Sequence, residues 1–366
     1  MGKEQVTNRQ ALCVITLFIF GSTVILGGSS EAEQDSWISL LLAALIILPF
    51  TIVYARIIRL YPGKDLFEIL EILFGKIFGK VLIILMSWYA LHLGALVLRN
   101  FSEFIQITSM PETPQLPLMI AMMVVTAYVA KSGIEALGRW SLAVIPVVIF
   151  VILITTVLAI PKMEFDNILP VMEHGLGTIA SGAYGIFTFP FAETVLFLGV
   201  ASAIKTSDSP YKIYTRSIGV ATVALLFVVV RNLEVLGPVT MKSRYFPSFS
   251  AARVIEVGDF LSRIEGVISM NFLLTGVVKI SLCLLAAAKG TAKLFGFNDY
   301  RSMVMPVAIL MVALSATVYT NVMEMFSFLK YYQFYAIPFQ IIIPLAVWIT
   351  AEFKVKKQKK PAATNA

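Results

Sequence analysis

Ten stretches of the chain are almost wholly apolar: about 10–29, 37–58, 80–107, 116–132, 141–160, 178–200, 216–236, 264–287, 302–320 and 331–351. Most run about 18 to 27 residues, and a helix of that length crosses a hydrocarbon core about 30 Å thick. The pattern predicts an all-α polytopic membrane protein of about ten transmembrane helices. It forms a single transmembrane domain over residues 1–352, followed by a basic tail at 353–366. Lys3 and Arg9 precede the first stretch, Ala11 to Leu26. That stretch exceeds the apolar core of a secretory signal, about 7 to 15 residues, and no small-residue cleavage site follows, so it reads as the first membrane helix.

The spans divide into two sets of five, repeat one over 8–160 and repeat two over 175–352. Span 1 is interrupted near Gly21-Ser22-Thr23 and span 6 near Thr188-Phe189-Pro190. Proline removes a backbone donor and clashes with the preceding turn, and glycine relaxes a helix. An amphipathic connector follows the second span of each set. Asp65, Glu68 and Glu71 alternate with Leu66, Phe67, Leu70, Leu73 and Phe74; Ser250, Arg253, Glu256 and Asp259 alternate with Val254, Ile255, Val257 and Phe260. Both fit short helices at the membrane surface. Two broken spans in corresponding positions point to a 5+5 inverted repeat, with broken helices 1 and 6 meeting at a midplane site.

Composition agrees: 58% of residues are hydrophobic and 14% charged, against roughly 25% charged in soluble domains. The net charge of +7 does not require nucleic acid. Most Lys and Arg fall in the segments joined to the N-terminus by an even number of crossings, and in the tail Lys354, Lys356, Lys357, Lys359 and Lys360. The alternate segments collect Glu31, Glu33, Asp35, Glu164, Asp166 and Glu173. By the positive-inside rule both termini are cytoplasmic. Cys13 and Cys283 both lie within spans and read as small packing residues. With only His92 and His174, there is no zinc motif or Ser-His-Asp candidate, and no phosphate loop occurs. The expectation is a non-enzyme without cofactor or metal.

An unwound stretch leaves N–H and C=O groups without helical partners, which is costly in lipid unless a ligand or neighbour pairs them. The half-helix after Gly21, Ser22 and Thr23 aims its positive end at the break, suiting a carboxylate. Carbonyls freed between Phe187 and Pro190, Thr188 included, suit an ammonium or hydroxyls. The other reading of Gly21 is close helix packing. Glu193, one turn past Pro190, is either half of a structural pair or a direct ligand or proton-sensing group. Lys279 in span 8 either snorkels toward the cytoplasm, roughly 12 Å away, or puts its ammonium where a sodium ion would bind. Arg231 and Glu234, three apart on span 7, form a local ion pair. Tyr89 either offers its hydroxyl to the site or packs, and His92 reads as a satisfied core residue. Phe187, Phe189 and Phe191 line the pocket or simply pack.

Four stretches of the chain, from Gln10 through span 10, carry a family resemblance. They are Tyr61-Pro62-Gly63-Lys64 with Phe74-Gly75-Lys76-Ile77-Phe78-Gly79-Lys80; Arg99, Glu103 and Thr113-Pro114; Asn167-Ile168-Leu169-Pro170-Val171 with Gly175; and Phe246-Pro247-Ser248 leading through Arg253 to Gly258-Asp259-Phe260-Leu261-Ser262-Arg263-Ile264-Glu265. The chain resembles the permease-like B subunits of spore nutrient germinant receptors, within the amino acid–polyamine–organocation superfamily. The resemblance implies a leucine-transporter-like fold and a sensing role in the inner membrane of the spore. A small-molecule germinant, an amino acid or sugar, would bind between spans 1 and 6. Glu193 then matches the family's acidic position in span 6, and Gly21 the small residue at its span 1 break. The implied partners are an A-type membrane subunit and a C-type lipoprotein. Two other readings stand beside this one, an autonomous proton-coupled transporter and a partner-binding scaffold with a vestigial cavity.

Overall fold

A computed structural model describes residues 4–26, 31–205, 208–255 and 264–359, and they are helical almost throughout. The first half comprises α1 (Asn8–Leu26), α2 (Ser36–Leu60), α3 (Leu66–Thr108), α4 (Gln115–Ser132) and α5 (Ile134–Ala159). Next, α6 (Gly175–Ile186) runs through a π-helical segment, Phe187–Phe191, into a 3₁₀ helix, Ala192–Ala203. Then come α7 (Pro210–Leu236), the short α8 (Pro238–Ser243) and α9 (Pro247–Val254), α10 (Ile264–Phe295) and α11 (Arg301–Thr317). The last run joins α12 (Val322–Tyr335) to α13 (Ile343–Lys359) through a second π-helical segment, Pro338–Ile342. Among the described residues, nine helical runs are long and apolar enough to cross a membrane, and Arg301–Thr317 is a shorter apolar helix. Each apolar stretch of the sequence corresponds to one of these runs.

The connector after α2 is a short helix, residues 66–74, at the front of α3. A kink joins it to the membrane-crossing helix that follows, and the two together make up the 43 residues of α3. A capping box starts it. The Asp65 side chain accepts from the Glu68 amide (3.1 Å), and Glu68 accepts from the Asp65 amide (3.2 Å). Gly75 then bends it with φ 76, a left-handed angle that glycine adopts without cost. Before the bend Phe67, Ile69 and Leu70 are buried; after it Lys76, Ile77, Phe78 and Lys80 are exposed. In the second connector, Ser250 and Arg253 lie on α9. Glu256 and Asp259, with the motif through Gly258 and Arg263, fall outside the described residues, as do Lys3 and Lys360.

The core forms around α1, which is buried along most of its length and packs on α10, α7 and α5. The interrupted run from α6 to Ala203 lies against it. This packing sets the two interruptions, and the middle of α10, side by side.

Candidate functional site

The break in α1 falls at Gly21 (φ 13, ψ −111). A side chain there would overlap the stem of Lys279 from α10, so glycine is what lets that lysine cross the break. Thr275, one turn before Lys279, donates its hydroxyl to the Gly21 carbonyl (3.1 Å). The next two hydroxyls, on Ser22 and Thr23, are buried and have no hydrogen-bond partner. Each such orphan costs about 1–3 kcal/mol relative to a paired group.

The second break centres on Phe189, whose backbone is extended (φ −140, ψ 104), with Pro190 following. Two of the carbonyls expected to be free are paired within the protein. Phe187 accepts from the Ala192 amide, and Thr188 from the Gln340 side-chain amide (2.8 Å). A buried carbonyl that loses its helical donor finds another. The Thr188 hydroxyl is also engaged, donating toward the Tyr184 and Gly185 carbonyls (3.1 and 3.0 Å).

Glu193 and Lys279 meet between the breaks, Nζ to Oε2 at 2.5 Å, with both side chains fully buried. Lys279 therefore does not snorkel: a carboxylate in the bundle offers more than the distant interface. Its ammonium also faces the rings of Phe189 (4.6 Å) and Phe18 (5.2 Å). The other Glu193 oxygen accepts from Tyr332 on α12 (2.7 Å). Tyr332 pairs with the Tyr89 hydroxyl (3.0 Å), which accepts from Gln340 (2.8 Å). One chain of bonds thus joins α10, the broken span 6, α12, α3 and the second π segment. Tyr332 and Gln340 escape sequence reading. Their spacing of eight residues, one face of a helix, is the signal that was available, but it is hidden in a run of tyrosines and phenylalanines that looks like an interfacial belt.

A cleft of about 570 Å³ reaches this region from the face opposite the two described ends. Thr23, Leu26, Thr188, Phe189 and Tyr332 form its floor, and Glu31, Lys242, Arg244 and Lys330 its mouth. Of the three phenylalanines, Phe189 lines the cleft. Phe187 packs on Phe50 (5.2 Å), and Phe191 is fully buried. Tyr89 sits behind Tyr332 and is likewise buried.

Arg231 and Glu234 do not pair. The guanidinium turns to the Thr155 hydroxyl (2.8 Å) and the Asn232 side-chain Oδ1 (2.8 Å), while both Glu234 carboxylate oxygens lack a hydrogen-bond partner. Arg231 takes its acceptors from α5 and from its own neighbour on α7. His92 stacks on Trp88 (5.5 Å), and its Nδ1 is buried without a partner, so it is packed but not satisfied. Among the described residues no cluster of three His, Cys, Asp or Glu is arranged to hold a metal.

On the opposite face a polar cleft of about 560 Å³ stops short of the breaks. Val6 donates its amide to the Ala203 carbonyl (2.9 Å). Glu4 pairs with Arg301 and accepts from Tyr300 (2.8 Å) and the Ile134 amide (3.3 Å). Lys289 approaches Asp65 (3.6 Å), whose carboxyl burial holds above the usual range, with Lys289 opposing. The Phe67 ring lies against Gly199 and Gly290, closing the space between span 6 and α10.

A family model described as spore germination protein matches residues 5–323. The chain is 28% identical to spore germination protein KB of Bacillus subtilis, over the whole of both chains. It is 22% identical to spore germination protein B2 of the same organism, over 97% of each. Among solved structures it is similar to Mhp1, a nucleobase-cation-symport-1 family transporter solved closed with bromovinylhydantoin bound. The TM-score is 0.68 at 12% identity, over 90% of this chain and 75% of that one. It is also similar to MhsT in complex with L-phenylalanine, with a TM-score of 0.62 at 14% identity over 95% and 89%. The shared fold is leucine-transporter-like. With a match across residues 5–323 and relatives of the same kind along its full length, the chain belongs to the spore germination permease family.

Proposed function

We propose that the chain is the solute-sensing membrane subunit of a spore germinant receptor, and not an enzyme. A small germinant of the amino-acid or sugar class binds at the floor of the 570 Å³ cleft, between the breaks of spans 1 and 6. The observation that carries this reading is the pair of unpartnered hydroxyls, Ser22 and Thr23, at an interrupted helix beside that floor. Both charges at the breaks are already mutually paired, so the recognising groups are hydroxyls, backbone N–H groups and the Phe189 and Tyr332 rings. Binding shifts the balance between two helix arrangements by the solute's differential affinity for them, and the change passes to an A-type subunit and a C-type lipoprotein. The receptor sits in the inner spore membrane with both termini cytoplasmic, as the lysine-rich tail supports.

The test is the dose dependence of germination in spores that make the chain as their receptor subunit, with chain abundance measured alongside. Thr23→Val removes one unpaired hydroxyl and Gly21→Ala drives a methyl group into the Lys279 stem. Each raises the half-maximal germinant concentration about tenfold, the equivalent of one good hydrogen bond. Unchanged dose curves in both variants would leave only a scaffold with an unused cavity.

The similarity to solved transporters favours a second reading, an autonomous proton-coupled transporter. Liposomes holding the purified chain separate the two. Accumulation of a pooled amino-acid or hexose substrate under a proton gradient supports transport; saturable binding without flux supports the receptor.

A further inference from the structure

Span 10 carries an interruption of its own. In the π-helical segment Pro338–Ile342, Gln340 is fully buried. π segments often occur at functional sites, and this one turns an amide into the bundle. Gln340 Nε2 donates to the Tyr89 hydroxyl and to the Thr188 carbonyl, both at 2.8 Å. The Gln340 main-chain carbonyl accepts from Tyr54 of α2 (2.7 Å). Thr188 is the residue just before the extended Phe189, so its carbonyl is one that the break would otherwise leave bare. Eight residues earlier on the same run, Tyr332 holds Glu193, on the far side of Pro190. Span 10 therefore grips span 6 on both sides of its break.

We propose that Gln340 is a positioning residue of the solute cleft. Its amide fixes the Thr188 end of the break and makes span 10 move with it. The proposal rests on the cleft being the solute site. Gln340 stands behind Thr188 and touches no solute. A buried amide has no water to turn to, so a displaced Thr188 carbonyl either carries Gln340 along or leaves two groups unpaired. Below Gln340, α13 is tied to its neighbours where Glu352 meets Arg56 of α2 (2.5 Å) and Lys354 donates to the Ile72 carbonyl of α3 (2.6 Å). Movement of span 10 thus reaches the face that carries both described ends.

The experiment is backbone hydrogen exchange on the full chain in nanodiscs, comparing wild type, Gln340→Leu and the near-isosteric Gln340→Glu. Loss of the cap should raise exchange over residues 188–193 about tenfold, one hydrogen bond's worth, with α4 and α5 unchanged. Gln340→Glu decides the matter if Gln340→Leu loosens every helix. Wild-type exchange over 188–193 in Gln340→Glu, or a uniform rise there too, overturns the proposal. A separate arm adds pooled L-amino acids or pooled hexoses to the wild-type chain. Failure of both pools to protect 188–193 counts against the solute cleft itself, and the variants still decide the positioning role.

Discussion

Removing Lys279 strands a carboxylate that has no other cation among the described residues, and removing Glu193 strands the ammonium. Breaking a buried pair in this way typically costs about 3–5 kcal/mol, whereas replacing both partners by apolar residues is often neutral. Lys279→Met should therefore lower the thermal stability of the detergent-solubilised chain sharply, and adding Glu193→Leu should restore most of the loss. Equal destabilisation in the single and double variants would mean that the pair is not what holds these residues. The members of the site are legible in the sequence because a charge or a glycine stands out in an apolar run, as Glu193, Lys279 and Gly21 do. Their partnerships are not. Glu193 and Lys279 are 86 positions apart, and only the packing of α10 on the broken span brings them together. The local rule that joins Arg231 to Glu234 fails because a buried guanidinium follows the nearest acceptors, here on α5 and its own neighbour.

At the level of elements, the breaks in spans 1 and 6 are readable from glycine and proline, but that in span 10 is not. Pro338 begins the second π segment, and proline near the start of a helical turn is unremarkable. The first connector is legible too, because its amphipathic stripe stops at Gly75, where the two helices of α3 meet. Its conformation makes a test. Gly75 has open space for a side chain but an angle that other residues avoid, so Gly75→Ala should cost about 1–3 kcal/mol in a denaturant or thermal titration. Asp65→Ala should cost about 1 kcal/mol through the lost cap, and Asp65→Asn less, because asparagine caps as well. If Asp65→Asn is as damaging as Asp65→Ala, the contact with Lys289 matters more than the cap.

For the whole molecule, the two clefts are unequal. One descends to the breaks, and the other is closed by Phe67 and the Glu4 segment. Cys13 and Cys283 are buried, so single introduced cysteines report cleanly. In oriented liposomes, Gln333→Cys and Asn298→Cys should react with an impermeant maleimide from opposite sides, and reaction of both from one side would refute this architecture. The pairing of Glu193 with Lys279 bears on energetics beyond stability. Moving one elementary charge through a full membrane potential is worth about 2.3 kcal/mol per 100 mV. An anion and a cation that cancel, wherever their shared proton rests, give that field nothing to pull on. A neutral or zwitterionic visitor adds nothing either. The pair and its visitor therefore add no voltage dependence of their own, and the affinity of this site should be the same in a cell with no energised membrane as in one at full potential.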